Sequence, residues 1–309
     1  TVDPCWQERA LFAKGGCMMR MNRRRFLTIS AAMAAVPSWA NSHSWQGHAL
    51  GADVSLTIRG AKDASIATLE QVRGLLAEVE SLFSLYDPSS ALVQLINEGR
   101  LRNPSNLYTA LKNAANTAHA MTEGLFDPTV QPFWRAMAEE SDLDTARFLI
   151  GWDRVQWDTN RVQLGTGQAL TFNGIAQGFA TDLVTEHLSA HGLTDVLVNI
   201  GEYRALGGPW RLGVSDPAHG HMGMRTLNTG AIATSSPAAM LVGDQAHILH
   251  ADAKPRWSTV SVEANTATLA DCLSTALCLA PNGLVEKIRT LDEVQRITLI
   301  DFDGNLTSL

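Results

Sequence analysis

The chain has 309 residues, of which 45% are hydrophobic and 18% charged, with a formal charge of −7. That length fits one large globular domain or two smaller ones. The acidic balance argues against nucleic acid or an anionic membrane as a partner, and no CxxC pattern among the four cysteines signals zinc.

The first residue is Thr, so Met18, Met19 or Met21 is a candidate start, and Thr1 to Arg20 is taken as an uninformative upstream segment. Asn22-Arg23-Arg24-Arg25-Phe26-Leu27 joins paired arginines to an apolar run ending at Val36, and Pro37-Ser38-Trp39-Ala40 has the small-x-small spacing of a cleavage site. Residues 21–40 therefore have the pattern of a twin-arginine export signal cut after Ala40, which makes the periplasm the destination and 41–309 the mature domain. The apolar run is too short to span a bilayer and no later stretch is long enough, so the mature chain is expected not to be membrane-spanning. Residues 1–40 hold six Arg/Lys and two Asp/Glu, so their loss takes the charge from −7 to −11.

Along the mature chain, Val54, Leu56 and Ile58 alternate as in a half-buried strand. Asp63 is a candidate cap for a helix with apolar positions Ile66, Leu69, Val72, Leu76, Val79 and Phe83, spaced by threes and fours. Phe83 to Ser90 is a polar turn carrying Tyr86, and a second helix starts at Asn103-Pro104-Ser105 with Leu107, Leu111, Ala114 and Ala118. Asp127-Pro128 marks a rigid loop. Glu139 to Asp144 is an acidic surface segment, and Val155–Asp158 pairs with Arg161–Leu164 as a hairpin turning at Thr159-Asn160.

Ala169 to Phe172 is an apolar run of strand type, turned by Asn173-Gly174 into a helix from Ile175. Gly178 keeps that helix start slim enough for another backbone or a ligand to approach, and such a joint can hold a phosphate, although most bind nothing. Strands are expected at Val196–Ile200, Trp210–Val214, Ala246–Leu249, Ser258–Val262 and Ile297–Phe302, a strand end and turn at Ala231–Ser236, and an apolar helix over Thr268–Leu279. Cys272 and Cys278 lie six apart in that helix, on different faces, as small buried residues and not as a disulfide. Strands and helices mix without regular alternation, which favours an α+β fold.

Asp271 and Thr275 stand four apart, on one helix face. A carboxylate and a hydroxyl one turn apart are hard oxygen ligands suited to magnesium beside phosphate; an isolated pair of this kind more often reflects helix-end preference. Their apolar neighbours Leu269, Leu273, Ala276 and Leu277 imply burial, and a buried carboxylate needs a partner. His247 and His250 are each a candidate general base or a satisfied histidine at a strand edge, and His219 and His221 are expected to stay solvated. GxSxG, Walker A, HExxH and EF-hand patterns are absent.

Seven segments in order complete the picture: FSLYDPSSALVQLIN from Phe83, EGLFDPTVQP from Glu123, LTFNGIAQGFATD from Leu170, VLVNIGE from Val196, AIATSS from Ala231, HIL from His247 and ATLADCLSTAL from Ala267. Together they resemble the ApbE family of FAD:protein FMN transferases, across nearly all of the mature length. The resemblance implies an α+β, T-fold-like arrangement of mixed sheets and packed helices, with an FAD cleft between subdomains. It implies Mg2+-dependent transfer of FMN from FAD to a Thr or Ser of an acceptor protein, releasing AMP. It places Gly174 (by its carbonyl), Asp271 and Thr275 on the metal, and Leu50, Tyr86, Leu125, Phe126, Asp127, Thr171, Gln177 and Leu249 around the flavin nucleotide. His247 falls at the motif's histidine, as base for the acceptor hydroxyl.

Three departures from the family's pattern stand out. Neutral Thr171 and Gln177 replace a common Asp and Lys, Asn199-Ile200-Gly201-Glu202-Tyr203 replaces a glycine-rich NLGGD, and His250-Ala251 replaces an Asp-Pro. The NGIAQG variant behind a twin-arginine leader resembles the branch that serves nitrous oxide reductase maturation, where the acceptor would be a membrane flavoprotein. A flavin-binding or flavin-delivery protein without turnover, and an FAD pyrophosphatase, are the alternatives.

Overall fold

A computed structural model of the chain describes residues 42–60, 64–243 and 245–309. The expected export signal, and Asp63 as a cap, lie outside the described residues.

The first two strands, β1 (Ser42–Ala49) and β2 (Ala52–Arg59), form a hairpin. Its turn residues Leu50 and Gly51 both have positive φ, 51° and 74°, the handedness that matches strand twist. A leucine in that conformation is no turn signal, so the sequence showed only the second strand. Helix α1 (Ile66–Phe83) is capped by Ser65, whose side chain accepts the Thr68 N–H. Val72, Leu76, Val79 and Phe83 are buried as the spacing requires, but Ile66 is 81% exposed because the stripe meets the core only from the second turn.

The Phe83–Ser90 turn leads into α2 (Ala91–Glu98), a helix not anticipated, with Ser90 as its cap. After β3 (Arg100–Arg102), α3 (Asn106–Met121) starts at Ser105 as expected. Asp127 then caps one tight turn over Pro128–Val130, accepting the Thr129 N–H at 2.8 Å. Two short helices follow, α4 (Gln131–Ala138) and α5 (Leu143–Phe148). β4 (Gln156–Asp158) and β5 (Arg161–Gln163) form the expected hairpin and join β3 in a sheet of order β3-β5-β4.

Ala169–Phe172 is not a strand. Its backbone is satisfied elsewhere: the Thr171 N–H donates to Pro128 O at 2.8 Å, and Phe172 O accepts from Ile175 and Ala176. Helix α6 (Ala176–Ala190) follows directly. Next come β6 (Val196–Ile200), β7 (Tyr203–Leu206), β8 (Trp210–Asp216), β9 (Gly220–Leu227), β10 (Gly230–Ser235), β11 (Leu241–Val242), β12 (Gln245–Ala246) and β13 (Thr259–Ala264). Helices α7 (Ala267–Leu277) and α8 (Asn282–Ile288) and strands β14 (Val294–Ile300) and β15 (Leu306–Ser308) end the chain. The strand expected over Ala246–Leu249 stops at Ala246, where His247 turns its ring toward backbone carbonyls.

Eight strands form one sheet of order β1-β2-β6-β7-β10-β13-β14-β15, and every strand pairing among the described residues is antiparallel. Alternation along the strands splits the core into layers. Val196, Val198, Ala231, Ala233, Val260 and Val262 face α1, α6 and α7. Leu197, Ala205, Ile232 and Ile300 face the β8–β9 hairpin, where Trp210, Leu212 and Val214 cover them. Cys272 and Cys278 are free and buried, as expected, and burial pushes both thiols up. Among the described residues no helix is long and apolar enough to cross a membrane.

Asp216 ties the β8–β9 hairpin to β13. Its Oδ2 accepts from Ser258 Oγ and Thr259 Oγ1, both at 2.6 Å, and its Oδ1 from the N–H groups of Ala218 and His219 and from His219 Nδ1. His219, expected to be solvated, is thus held. Burial alone would raise this carboxyl, but the hydrogen bonds outweigh it and hold it at about 2. A depressed folded value stabilises the fold above the ordinary carboxylate pKa and stops doing so as pH falls through the folded one. The contribution is on the order of 2 kcal/mol, lost between roughly pH 4 and pH 2. Urea unfolding followed across that range should show the loss in the native chain and a much flatter profile in Asp216→Asn.

Candidate active site

The site is built where α6 and α7 cross. Adding a Cβ to Gly178 would put it 2.3 Å from Ala267 O and 2.7 Å from Asp271 Cβ, so only glycine admits the start of α7 here. Each helix then caps the other's start. Asp271 Oδ2, from α7, accepts the Gly178 N–H at 2.9 Å. Asp182, from α6, accepts the N–H groups of Ala267 and Thr268 at 2.8 Å and the Thr268 hydroxyl at 2.5 Å. Free N–H groups at a helix start favour a carboxylate, and two such exchanges fix both helices. Arg204 closes the clasp from β7, donating to Asp182 Oδ1 at 2.7 Å.

With α7 held, Thr275 reaches the loop before α6. A Cβ on Gly174 would lie 3.1 Å from both Thr275 Oγ1 and Thr275 Cγ2, and 3.3 Å from the Phe126 ring. Gly174, Thr275 and Phe126, distant in sequence, therefore meet in one place, one helical turn along α7 from Asp271. The Thr275 hydroxyl is 3.3 Å from Ser235 Oγ, at the end of β10.

The electrostatics of this place are one-sided. Burial pushes the Asp271 carboxyl up to about 7 against the opposing Gly178 N–H, and the nearby Asp182 charge adds to the rise. Glu202, following β6, is raised well above its ordinary value, first by burial and then by Asp271, while the Thr234 N–H opposes. Two buried carboxylates thus destabilise each other's charge. Asp271 forms no salt bridge among the described residues, and its Oδ1 takes no hydrogen bond there. A hard cation would remove that penalty, and the donors at hand, one carboxylate, one hydroxyl and the Gly174 backbone, are oxygens of the kind magnesium takes. Among the described residues no cluster of three or more His, Cys, Asp or Glu side chains could hold a metal, so a cation here would draw on the Thr275 and backbone oxygens.

His247 follows the β11–β12 hairpin. Its Nδ1 lies 3.0 Å from Pro237 O and 3.1 Å from Met240 O. Carbonyls only accept, so Nδ1 carries the proton and Nε2 has the free lone pair. Burial lowers the imidazole from its ordinary 6.5, against the raising effect of the two carbonyls. Pro237 lies two residues beyond Ser235, so the ring is anchored to the segment that touches Thr275. His250 instead accepts from the N–H groups of Asp252 and Ala253 through Nδ1, shaping the loop.

The remaining candidates divide. Gln177 lies against the loop after β6, within 2.6 Å of where a Cβ on Gly201 would stand. Thr171 Oγ1 accepts the Asn173 N–H at 3.2 Å and holds the turn before Gly174. Phe126 is buried beside Gly174, Leu125 packs against the main core, and Asp127 holds its own turn. Leu50 packs partly against the same core, its N–H on Glu80 Oε1 at 2.6 Å. Tyr86 is 82% exposed. Leu249 packs with Phe133, Ala136 and Ala146 on α4 and α5, and nothing brings it against the Gly174–Thr275 contact. Surface depressions of about 540 Å³, walled by Arg100, Arg102 and Arg161, and about 340 Å³, walled by Pro132, Leu149 and Ala169, lie off that contact. Asp182, Glu202, Ser235 and Ser274 were not singled out from the sequence. Only their places inside or beside the quoted motifs pointed to them.

The family model described as "ApbE family" matches residues 50–297. The chain belongs to the ApbE family. This ApbE-family chain is 28% identical over 215 residues to the FAD:protein FMN transferase of Rhodobacter capsulatus, a match covering 60% of the chain and 40% of that relative's length. The flavin transferase ApbE from Vibrio cholerae superposes with a TM-score of 0.75 at 20% identity, over 87% of this chain and 96% of that one. The ApbE protein of Thermotoga maritima gives 0.76 at 23% identity, over 86% and 96%. At those identities what is shared is the fold, and it is the α+β arrangement described above.

Proposed function

We propose that this ApbE-family chain transfers the FMN part of FAD to a Ser or Thr hydroxyl of an acceptor protein in the periplasm. The single observation that carries the reading is the contact of Gly174 with Thr275 one helical turn from Asp271, a buried carboxylate close enough to Glu202 to raise it, so that hard oxygens gather at a helix start. Asp271, Thr275 and the Gly174 carbonyl would hold Mg2+, which when bound supplies neutralisation of pyrophosphate charge. The acceptor oxygen forms a bond to the FMN phosphorus, the bond from that phosphorus to the AMP oxygen breaks, and AMP leaves. His247 Nε2 takes the proton from the acceptor hydroxyl. The α6–α7 clasp does the positioning that such a displacement needs. The twin-arginine pattern of residues 21–40 supports export. The acceptor we infer is a flavoprotein, and the NGIAQG motif behind that leader favours a membrane flavoprotein of the nitrous oxide reductase system.

Incubation with FAD, Mg2+ and an acceptor fragment tests the reading by covalent flavin on the acceptor. AMP release measured with and without acceptor separates it from its rivals: a pyrophosphatase releases AMP without acceptor, and a delivery protein releases none. His247→Gln should lower transfer about 10²–10⁴-fold, as loss of a general base does, with FAD affinity little changed. At saturating Mg2+, which keeps Asp271 ionised, the base must be unprotonated and its pKa is lowered, so the acid limb of the native rate profile should turn below pH 6.5. An unchanged acid limb in His247→Gln would assign the base elsewhere.

A further inference from the structure

We infer that Ser235 and Ser274 form a one-way hydroxyl relay that fixes the proton of Thr275 and turns its lone pairs toward the cation site. The inference rests on the cation reading above and extends it to two residues outside the set of oxygens assigned to the cation.

The direction follows once the Ser274 proton is assigned to the carbonyl beside it. Each hydroxyl has one proton and two lone pairs. Ser274 Oγ donates to the Asp271 backbone carbonyl at 3.0 Å, and a carbonyl can only accept. With its proton on that carbonyl, Ser274 Oγ accepts from Ser235 Oγ, 2.8 Å away. Ser235 then has no proton left for Thr275 Oγ1, 3.3 Å away, and must accept from it. The Thr275 proton therefore points at Ser235, and its lone pairs face the side where Gly174 lies. Were the chain reversed, the threonine would offer that side a hydrogen, which a cation repels.

Ser274 is fully buried and sits on α7 between Asp271 and Thr275. Ser235 is half-buried at the end of β10. The relay thus joins the sheet to the helix at the threonine. Ser235 and Ser274 are positioning residues, not catalytic ones.

The test is Mn2+ binding by electron paramagnetic resonance in the presence of FAD, on the full mature chain. Ser235→Ala and Ser274→Ala should each weaken Mn2+ about tenfold, the scale set by groups that orient metal ligands. The double variant should weaken it by about the same factor, because either change breaks the same relay. Affinities within twofold of native in Ser235→Ala, or a double variant weakened by the product of the two single factors, would overturn the relay. A native chain that shows no saturable Mn2+ signal would overturn the cation site itself, and so is told apart from failure of the relay alone. Ser235 is only half-buried, so its variant is read even where Ser274→Ala lowers stability.

Discussion

Asp271→Asn should lower FMN transfer about 10²–10³-fold, equivalent to roughly 3–4 kcal/mol of transition-state stabilisation. The asparagine oxygen can still accept the Gly178 N–H that Asp271 Oδ2 takes at 2.9 Å, so the clasp keeps its hydrogen bond. What is lost is the negative charge. In the native chain that charge is costly, since burial pushes the carboxyl up to about 7. Removing it should therefore leave thermal stability equal or slightly higher while activity collapses. That opposite movement separates a functional carboxylate from a structural one. Transfer and melting temperature measured on the same preparation check it. Native-like transfer by Asp271→Asn would exclude this carboxylate from the chemistry.

Gly178→Ala should destabilise the fold by roughly 1–3 kcal/mol and abolish flavin transfer with it. Two effects compete. Alanine is the better helix former, by about 0.8–1 kcal/mol. Against that, its Cβ would sit 2.3 Å from Ala267 O and 2.7 Å from Ala267 C. Those are backbone atoms, not the tip of a flexible side chain. Nor can α7 swing away cheaply, because Asp182 holds the N–H groups of Ala267 and Thr268. The clash wins, and any shift that relieves it carries Asp271 and Thr275 away from Gly174. Urea midpoints with an unchanged denaturant slope check the size. A stabilised Gly178→Ala would show that the close approach of the two helices is not required.

The contrast between what could and could not be foreseen has physical causes. Asp271 and Thr275 were legible because a four-residue spacing puts them on one helix face whatever the tertiary context. Gly178 was legible as a point of close approach, and it is backbone that approaches. Asp182 and Glu202 were not, because their partners lie on elements far along the chain and no local spacing encodes them. The run Ala169–Phe172 misled: a short apolar stretch has the same pattern in a strand as in a buried loop, and its Thr171 N–H goes to Pro128 O instead of a ladder. The β1–β2 turn was hidden because Leu50 takes a positive φ of 51° that its side chain disfavours. Helix α2 was hidden behind Ser89-Ser90, read as turn residues when Ser90 is a cap.

The meeting of two helices at Gly178 can be tested most directly by anomalous diffraction from crystals grown with Mn2+ and FAD. One peak is expected within coordination distance of an Asp271 carboxylate oxygen, Thr275 Oγ1 and the Gly174 carbonyl at once. An active preparation whose manganese sits elsewhere, with Asp271 still engaged only by Gly178, would contradict it.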